Sequence, residues 1–271
     1  MNRRTQRALS SSLTLLAVGL TAAAMQAVSD RLGDPATLSG WTLLASTAGL
    51  YLLAARKQNR WLRSGPVAAW LQWHTYMGTF ASLVFLMHIG WPIRGMFEIA
   101  LASCFAIVAI SGIGLAIVSR RAPRQLAAVR PAQRLEHIPA LRGSLAGEAH
   151  QEALASAALG EGATLAEFYQ QRLLPFFQTP RHPLYRLFPS GRQRRLLLRE
   201  LDDLQRYLAE QGNEARLRLS ALVAAKDDLD FQDALQHRIR WIYALHVALT
   251  WALAMMIGVH VVLVYRFQGA V

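Results

Sequence analysis

The fold is decided by residues 241–265, which read WIYALHVALTWALAMMIGVHVVLVY and carry no charge. A helix needs about 20 consecutive apolar residues to cross a bilayer, so this run predicts a membrane span. The run also holds two histidines, His246 and His260. Ionisable side chains are costly inside a membrane and usually functional there. The stretch therefore indicates a membrane protein with chemistry inside the bilayer.

Four more uncharged runs predict four more spans, at residues 8–29, 36–55, 64–93 and 99–119. Composition agrees, because 53% of the 271 residues are apolar and only 17% are charged, whereas soluble domains have about a quarter charged residues. The first run has an alternative interpretation. Basic residues precede an apolar stretch that ends in small side chains, so it would also suit a signal peptide.

The basic residues predict the orientation of these spans. They cluster at Arg3, Arg4 and Arg7, at Arg56, Lys57, Arg60 and Arg63, and at Arg120, Arg121 and Arg124. Cytoplasmic loops of membrane proteins carry an excess of Lys and Arg. The pattern predicts a protein of the bacterial inner membrane with residues 120–237 in the cytoplasm and a periplasmic C-terminus. The net charge of +12 then follows from topology, and we expect no nucleic-acid partner.

Residues 120–237 hold most of the acids and predict a soluble helical insertion. Leucines recur there at helical spacing, at Leu196, Leu197, Leu201, Leu204 and Leu208. A second amphipathic run at 213–236 leads directly into the last span. The predicted fold is therefore an all-α transmembrane helix bundle of five spans. Spans one to four occupy residues 1–119, the cytoplasmic insertion 120–237, and span five with its tail 238–271.

Four of the eight histidines lie inside predicted spans, in two pairs of equal spacing. Span three carries His74 and His88, span five carries His246 and His260, and the spacing within the two pairs is identical (88 − 74 = 260 − 246). In a helix, such a separation advances about 21 Å and returns within about 40° of the same face. Spans three and five run in the same direction. His74 is then level with His246, the inner pair, and His88 with His260, the outer pair.

This arrangement predicts two non-covalent b-type haems, each held by one histidine from each helix. Neutral imidazole is a good ligand for haem iron, and cofactor sites in bundles are built from facing helices. The single cysteine, Cys104, excludes a CxxCH attachment site for covalent haem. Three alternatives remain open. The histidines would bond to neighbouring helices, form a proton relay in a haem-free transporter, or belong to a scaffold whose function lies in the insertion.

Three arginines stand near the predicted ligands. Arg94 and Arg266 each follow an outer histidine by six residues, and Arg240 precedes His246 by six. Long basic side chains can reach along a helix to the membrane surface, so these three are predicted to bind haem propionates. Anchoring of helix ends at the interface is the alternative. The sequence has no P-loop, GxGxxG, HExxH or GxSxG motif, so it predicts no nucleotide-binding or hydrolytic site.

Two helices that each carry a pair of histidines at this spacing resemble the cytochrome b/b6 family over residues 36–119 and 239–266. The membrane domain of ferric reductases and NADPH oxidases is also similar. The resemblance implies a four-helix core in which His74, His88, His246 and His260 are axial ligands of two haems. The PEWY motif of cytochrome b and the HPFT motif of the oxidases are absent, and neither family accounts for the insertion.

The predicted function is electron transfer across the inner membrane between redox partners. The chain would then act as the electron-transfer subunit of an oxidoreductase system. Its predicted partners are membrane lipid, a cytoplasmic redox protein that docks on residues 120–237, and a quinone as a further candidate. A ferric reductase-like membrane component and a transporter with a histidine relay are the alternatives.

Overall fold

A computed structural model describes residues 3–58, 65–90, 93, 95–127, 135–158 and 163–267, which are mostly helical and contain no strand. The helices are α1 Arg3–Asp30, α2 Pro35–Gln58, α3 Val67–His88, α4 Met96–Ala127, α5 Ile138–Ala157, α6 Ala163–Phe168, α7 Leu174–Gln178, α8 Pro183–Leu187, α9 Arg192–Asp203 and α10 Glu210–Phe267. Short turns of other helix types lie at Leu135–His137, Tyr169–Leu173 and Leu204–Tyr207. The all-α prediction is confirmed.

Four of the described helices, α1, α2, α4 and α10, are long and apolar enough to cross a membrane. They correspond to predicted spans one, two, four and five. The third predicted span folds as the 22-residue helix α3, which is about 33 Å long. Its polar side chains, among them Gln72, His74 and His88, lower its mean hydropathy, and α3 is not one of the four.

The chain divides into two compact units. The first comprises Met1–Ile117 and Ile242–Val271, and the second comprises Val118–Trp241. In the first unit, α1 packs against α2 and α3, and α2 packs against α3. Large apolar side chains nevertheless point outward from this unit, including Leu16 on α1, Ile110 on α4 and Met255 on α10. Such exposure is expected where lipid, rather than water, surrounds the helices.

Helix α2 begins at a local signal that the sequence contains. The carboxylate of Asp34 accepts hydrogen bonds from the backbone N–H groups of Ala36 at 2.9 Å and Thr37 at 3.1 Å, and from the Thr37 hydroxyl at 2.7 Å. These bonds satisfy amides that have no partner inside the helix. The Thr37 hydroxyl is the main reason that the pKa of Asp34 lies below its ordinary value.

The second unit is organised around one apolar cluster. Its fully buried members come from five different elements and include Leu165, Leu173, Leu201, Leu219 and Val223. Helix α9 buries Leu197 and Leu201, so the predicted amphipathic helix in this region is confirmed. Helix α10 runs without a break from Glu210 to Phe267. The prediction that the second amphipathic run leads directly into the last apolar stretch is also confirmed.

Candidate functional site

Helices α2, α3, α4 and α10 form a ring in the first unit. Four contacts join neighbours: Ser39 on α2 with His88 on α3, Phe85 on α3 with Phe105 on α4, Ser111 on α4 with His246 on α10, and Tyr51 on α2 with Thr250 on α10. In this order α3 and α10 lie opposite each other. The two helices that carry the paired histidines therefore face one another across the ring.

The outer pair meets across this ring. The ring centroids of His88 and His260 are 6.4 Å apart, and their planes are perpendicular. Two imidazoles that bind one metal ion from opposite sides have centroids about 6 Å apart, because each metal–nitrogen bond is about 2 Å and the nitrogen lies roughly 1 Å from the ring centre. The spacing of this pair therefore fits a shared iron atom.

His88 is held in place by two neighbouring residues of α2. Its Nδ1 lies 2.9 Å from Oγ of Ser39, and Ser39 is fully buried. The same Oγ lies 3.0 Å from the carbonyl oxygen of Ala36. The next residue is Gly40, where an added Cβ would lie only 3.2 Å from Cε1 of His88. Glycine at this position therefore lets the imidazole lie directly against the helix.

His246 is held in the same way by α4. Its Nδ1 lies 3.0 Å from Oγ of Ser111, and that oxygen is 2.9 Å from the carbonyl oxygen of Val108. At Gly112, an added Cβ would lie 3.1 Å from Cε1 of His246. The dipeptide Ser-Gly thus performs the same task on two helices, for one histidine of each predicted pair. Neither dipeptide was predicted as part of the site.

The other member of the inner pair is His74. Its Nδ1 is buried and has no hydrogen-bond partner among the described residues. A buried polar atom without a partner costs free energy, and it calls for an explanation in a native protein. The ring contact of His88 with His260 joins one predicted pair, and the pairing of His74 with His246 stays a prediction.

Three arginines, Arg94, Arg240 and Arg266, are predicted to bind haem propionates. Arg94 lies outside the described residues. Arg240 and Arg266 have exposed side chains, and Arg240 belongs to the second unit. A role for any of them at a propionate stays a prediction. Among the described residues, no three His, Cys, Asp or Glu side chains come together as metal ligands.

A second cluster, which sequence reasoning missed, lies in the second unit around Asp230. Its side chain is only 1% exposed and accepts hydrogen bonds from Lys226 Nζ at 2.7 Å and Arg181 Nε at 2.8 Å. Arg142 Nη2 lies 2.7 Å from its other oxygen, and Arg181 also pairs with Asp227. The cluster joins α5 and the segment before α8 to α10.

The burial of these charges has electrostatic consequences. Loss of solvation lowers the pKa of Lys226 and raises the pKa of Asp227. It also raises the pKa of the Tyr185 hydroxyl, whose ring lies under the guanidinium of Arg181 at 4.9 Å. Each buried charge has a partner of opposite sign within hydrogen-bond distance. The cluster is therefore suited to hold helices together rather than to donate protons.

Comparison with protein families, with curated proteins and with solved structures finds no match for this chain.

Proposed function

We propose that the chain is a di-haem b-type cytochrome that carries electrons across the bacterial inner membrane. The observation that carries the proposal is the His88–His260 ring pair, 6.4 Å apart between opposite helices. Haem supplies reversible one-electron chemistry, with a potential tuned by its axial ligands and their hydrogen bonds. His88 and His260 would hold one haem, and His74 and His246 the other.

The serine next to His88 favours the protonation state that a ligand needs. Ser39 has one hydroxyl proton, which it can donate to the carbonyl oxygen of Ala36. Its oxygen then accepts a hydrogen bond from Nδ1–H of His88. Neutral histidine carries one ring proton, so Nε2 is left with a free lone pair. Partners of this kind fix the tautomer and orientation of metal-binding histidines.

Ser111 does the same for His246, because it bonds to both the Val108 carbonyl and Nδ1 of His246. Each proposed haem would therefore have one ligand with a fixed tautomer. No serine does this for His74, whose buried Nδ1 has no hydrogen-bond partner among the described residues.

Replacing Ser39 or Ser111 by alanine should weaken haem binding at one site. Loss of an outer partner of a metal ligand typically costs about 10- to 100-fold in affinity. Retention of haem during dilution or transfer to apomyoglobin measures the effect. Ser46→Ala is the matched control, since Ser46 is also buried on α2 but, within the part of the chain that the structure describes, bonds only to the Thr42 carbonyl. Equal retention in Ser39→Ala and Ser46→Ala would contradict the positioning role.

The proposed orientation places residues 120–237 in the cytoplasm, where they would dock a redox protein. Quinone remains a candidate partner at the membrane. A reporter that works only in the periplasm should be active when fused after Val271 and silent when inserted near Gly160, because basic loops stay inside. The opposite pattern would reverse the orientation and exchange the inner and outer haem sites.

Electron transfer itself is tested in proteoliposomes that contain trapped ferricyanide. Dithionite added outside should reduce the trapped ferricyanide through the protein, with valinomycin and potassium present to relieve the charge that builds up. His88→Ala should abolish this reduction, since one of the two sites is lost. Wild-type protein that passes protons but no electrons would favour the histidine-relay transporter and overturn the proposal.

A further inference from the structure

Helix α8 and the residue that follows it expose three large apolar side chains, Leu184, Leu187 and Phe188, here termed the α8 patch. Phe188 is 79% exposed, Leu184 61% and Leu187 53%. The three side chains lie within five consecutive positions, so they form one continuous surface. Clustered apolar exposure of this kind marks a site of interaction with a protein or a membrane.

The surroundings of the α8 patch are strongly basic. Residues 179–199 contain six arginines and no acid. Arg181 and Arg194 pair with buried or partly buried aspartates elsewhere. The remaining four are exposed and form no ion pair with any described residue: Arg186, Arg192, Arg195 and Arg199. Apolar side chains flanked by unpaired arginines match a surface that is apolar within and negatively charged outside.

The α8 patch lies beside α10 close to the start of its uncharged run. Nη1 of Arg238 donates a hydrogen bond to the carbonyl oxygen of Leu187 at 3.3 Å. Arg238 is three residues before Trp241 (241 − 238), which is about 5 Å along the helix. Trp241 is exposed, as is Arg240. Trp and Arg are enriched where helices enter the headgroup region, so a helix that enters the membrane at Trp241 would bring the α8 patch to this level.

We propose that the α8 patch binds the anionic phospholipid surface of the membrane that the chain spans. Leu184, Leu187 and Phe188 insert below the headgroups, and the exposed arginines bind lipid phosphates. Anionic lipids attract basic segments near the surface, and their charge complements this arginine-rich segment. The proposal rests on the path of α10 and on the exposed side chains, and it is independent of haem.

A fluorescent probe on the full chain tests this assignment. The background is Cys104→Ser, which removes the only cysteine and keeps a side chain able to bond to the Leu249 carbonyl. Phe188→Cys then carries an environment-sensitive label, and the protein is placed in nanodiscs with doxyl-labelled lipid as quencher. One set of nanodiscs contains phosphatidylglycerol with phosphatidylcholine, and the other contains phosphatidylcholine alone.

We expect the label at position 188 to shift to the blue and to be quenched strongly in the anionic nanodiscs and weakly in the neutral ones. Replacing Arg186 and Arg192 by glutamine should lower the quenching by about twofold or more, since each removes an attraction to anionic lipid. The matched control is Leu217→Cys. Leu217 is 58% exposed on α10, but it precedes Arg238 by about 31 Å along the helix, so its label should remain unquenched.

Two results would overturn the proposal. Absence of quenching at position 188 in anionic nanodiscs would show that the α8 patch faces water and serves a protein partner instead. Equal quenching in anionic and neutral nanodiscs would show that the arginines do not bind lipid phosphates.

Discussion

Replacing His88 by alanine should remove the same haem as replacing His260. The two rings lie 6.4 Å apart on opposite helices, so each substitution removes one of two ligands from the same iron. Haem content should fall by about half, or the affected haem should become high-spin, because axial ligands determine haem binding and potential. His74→Ala and His246→Ala should remove the other haem. Redox titration of the visible spectrum of each variant identifies the component that persists.

Comparison of variants from different pairs, such as His74→Ala with His260→Ala, is the control for this pairing. The two levels are about 21 Å apart along each helix, so the undamaged haem should keep its midpoint potential in each single variant. If His74→Ala and His260→Ala removed the same haem component, α3 and α10 would have to run in opposite directions. If none of the four substitutions changed haem content, these histidines would not be ligands.

Replacing Asp230 by asparagine should destabilise the second unit by about 3–5 kcal/mol, the cost of breaking a buried ion pair. The substitution leaves Lys226, Arg142 and Arg181 near a neutral side chain that is almost fully buried. Hydrogen exchange of the full chain in detergent measures the effect, because opening of the unit would expose amides of α5 and of the first half of α10. Protection there should fall by about two orders of magnitude or more, since a tenfold change corresponds to about 1.4 kcal/mol.

Asp203→Asn is the matched control for this prediction. Asp203 is an aspartate of the same unit, but its side chain is 74% exposed and its ion pair with Arg206 is 3.6 Å long. Exposed ion pairs contribute about 0–1 kcal/mol, so protection should change by less than about tenfold. Similar effects of the two substitutions would contradict the view that the buried cluster holds the unit together.

The contact between His88 and His260 could be predicted because the position of each histidine depends on one helix at a time. The separation within each pair is close to four helical turns, so the helical repeat fixes both the face and the level of each imidazole. The length of each apolar run likewise predicts its helix. Helix α3 shows the limit of the hydropathy argument, because the polar residues that make it a candidate site also lower its mean hydropathy.

The supporting residues could not be predicted, because their role exists only in tertiary contact. Ser39 and Gly40 are ordinary residues within α2. Their role in positioning a histidine depends on contact with His88, which lies far along the chain on another helix. The repeat of Ser-Gly at 111–112 was a usable signal, although short dipeptides recur by chance. Charged residues on one side of a helix, such as Lys226, Asp227 and Asp230, are ordinarily expected to face solvent. Here they are buried because α5 and Arg181 pack against them.

The measurement that tests the central claim most directly is the haem content of the purified full chain, determined as the pyridine haemochrome against protein mass. The account predicts two haem b per chain with low-spin spectra, because the four histidines would supply two pairs of axial ligands. A variant with all four histidines replaced by alanine, at His74, His88, His246 and His260, should contain none. A wild-type protein that binds no haem when expressed with adequate haem supply, or a quadruple variant that retains it, would contradict the account.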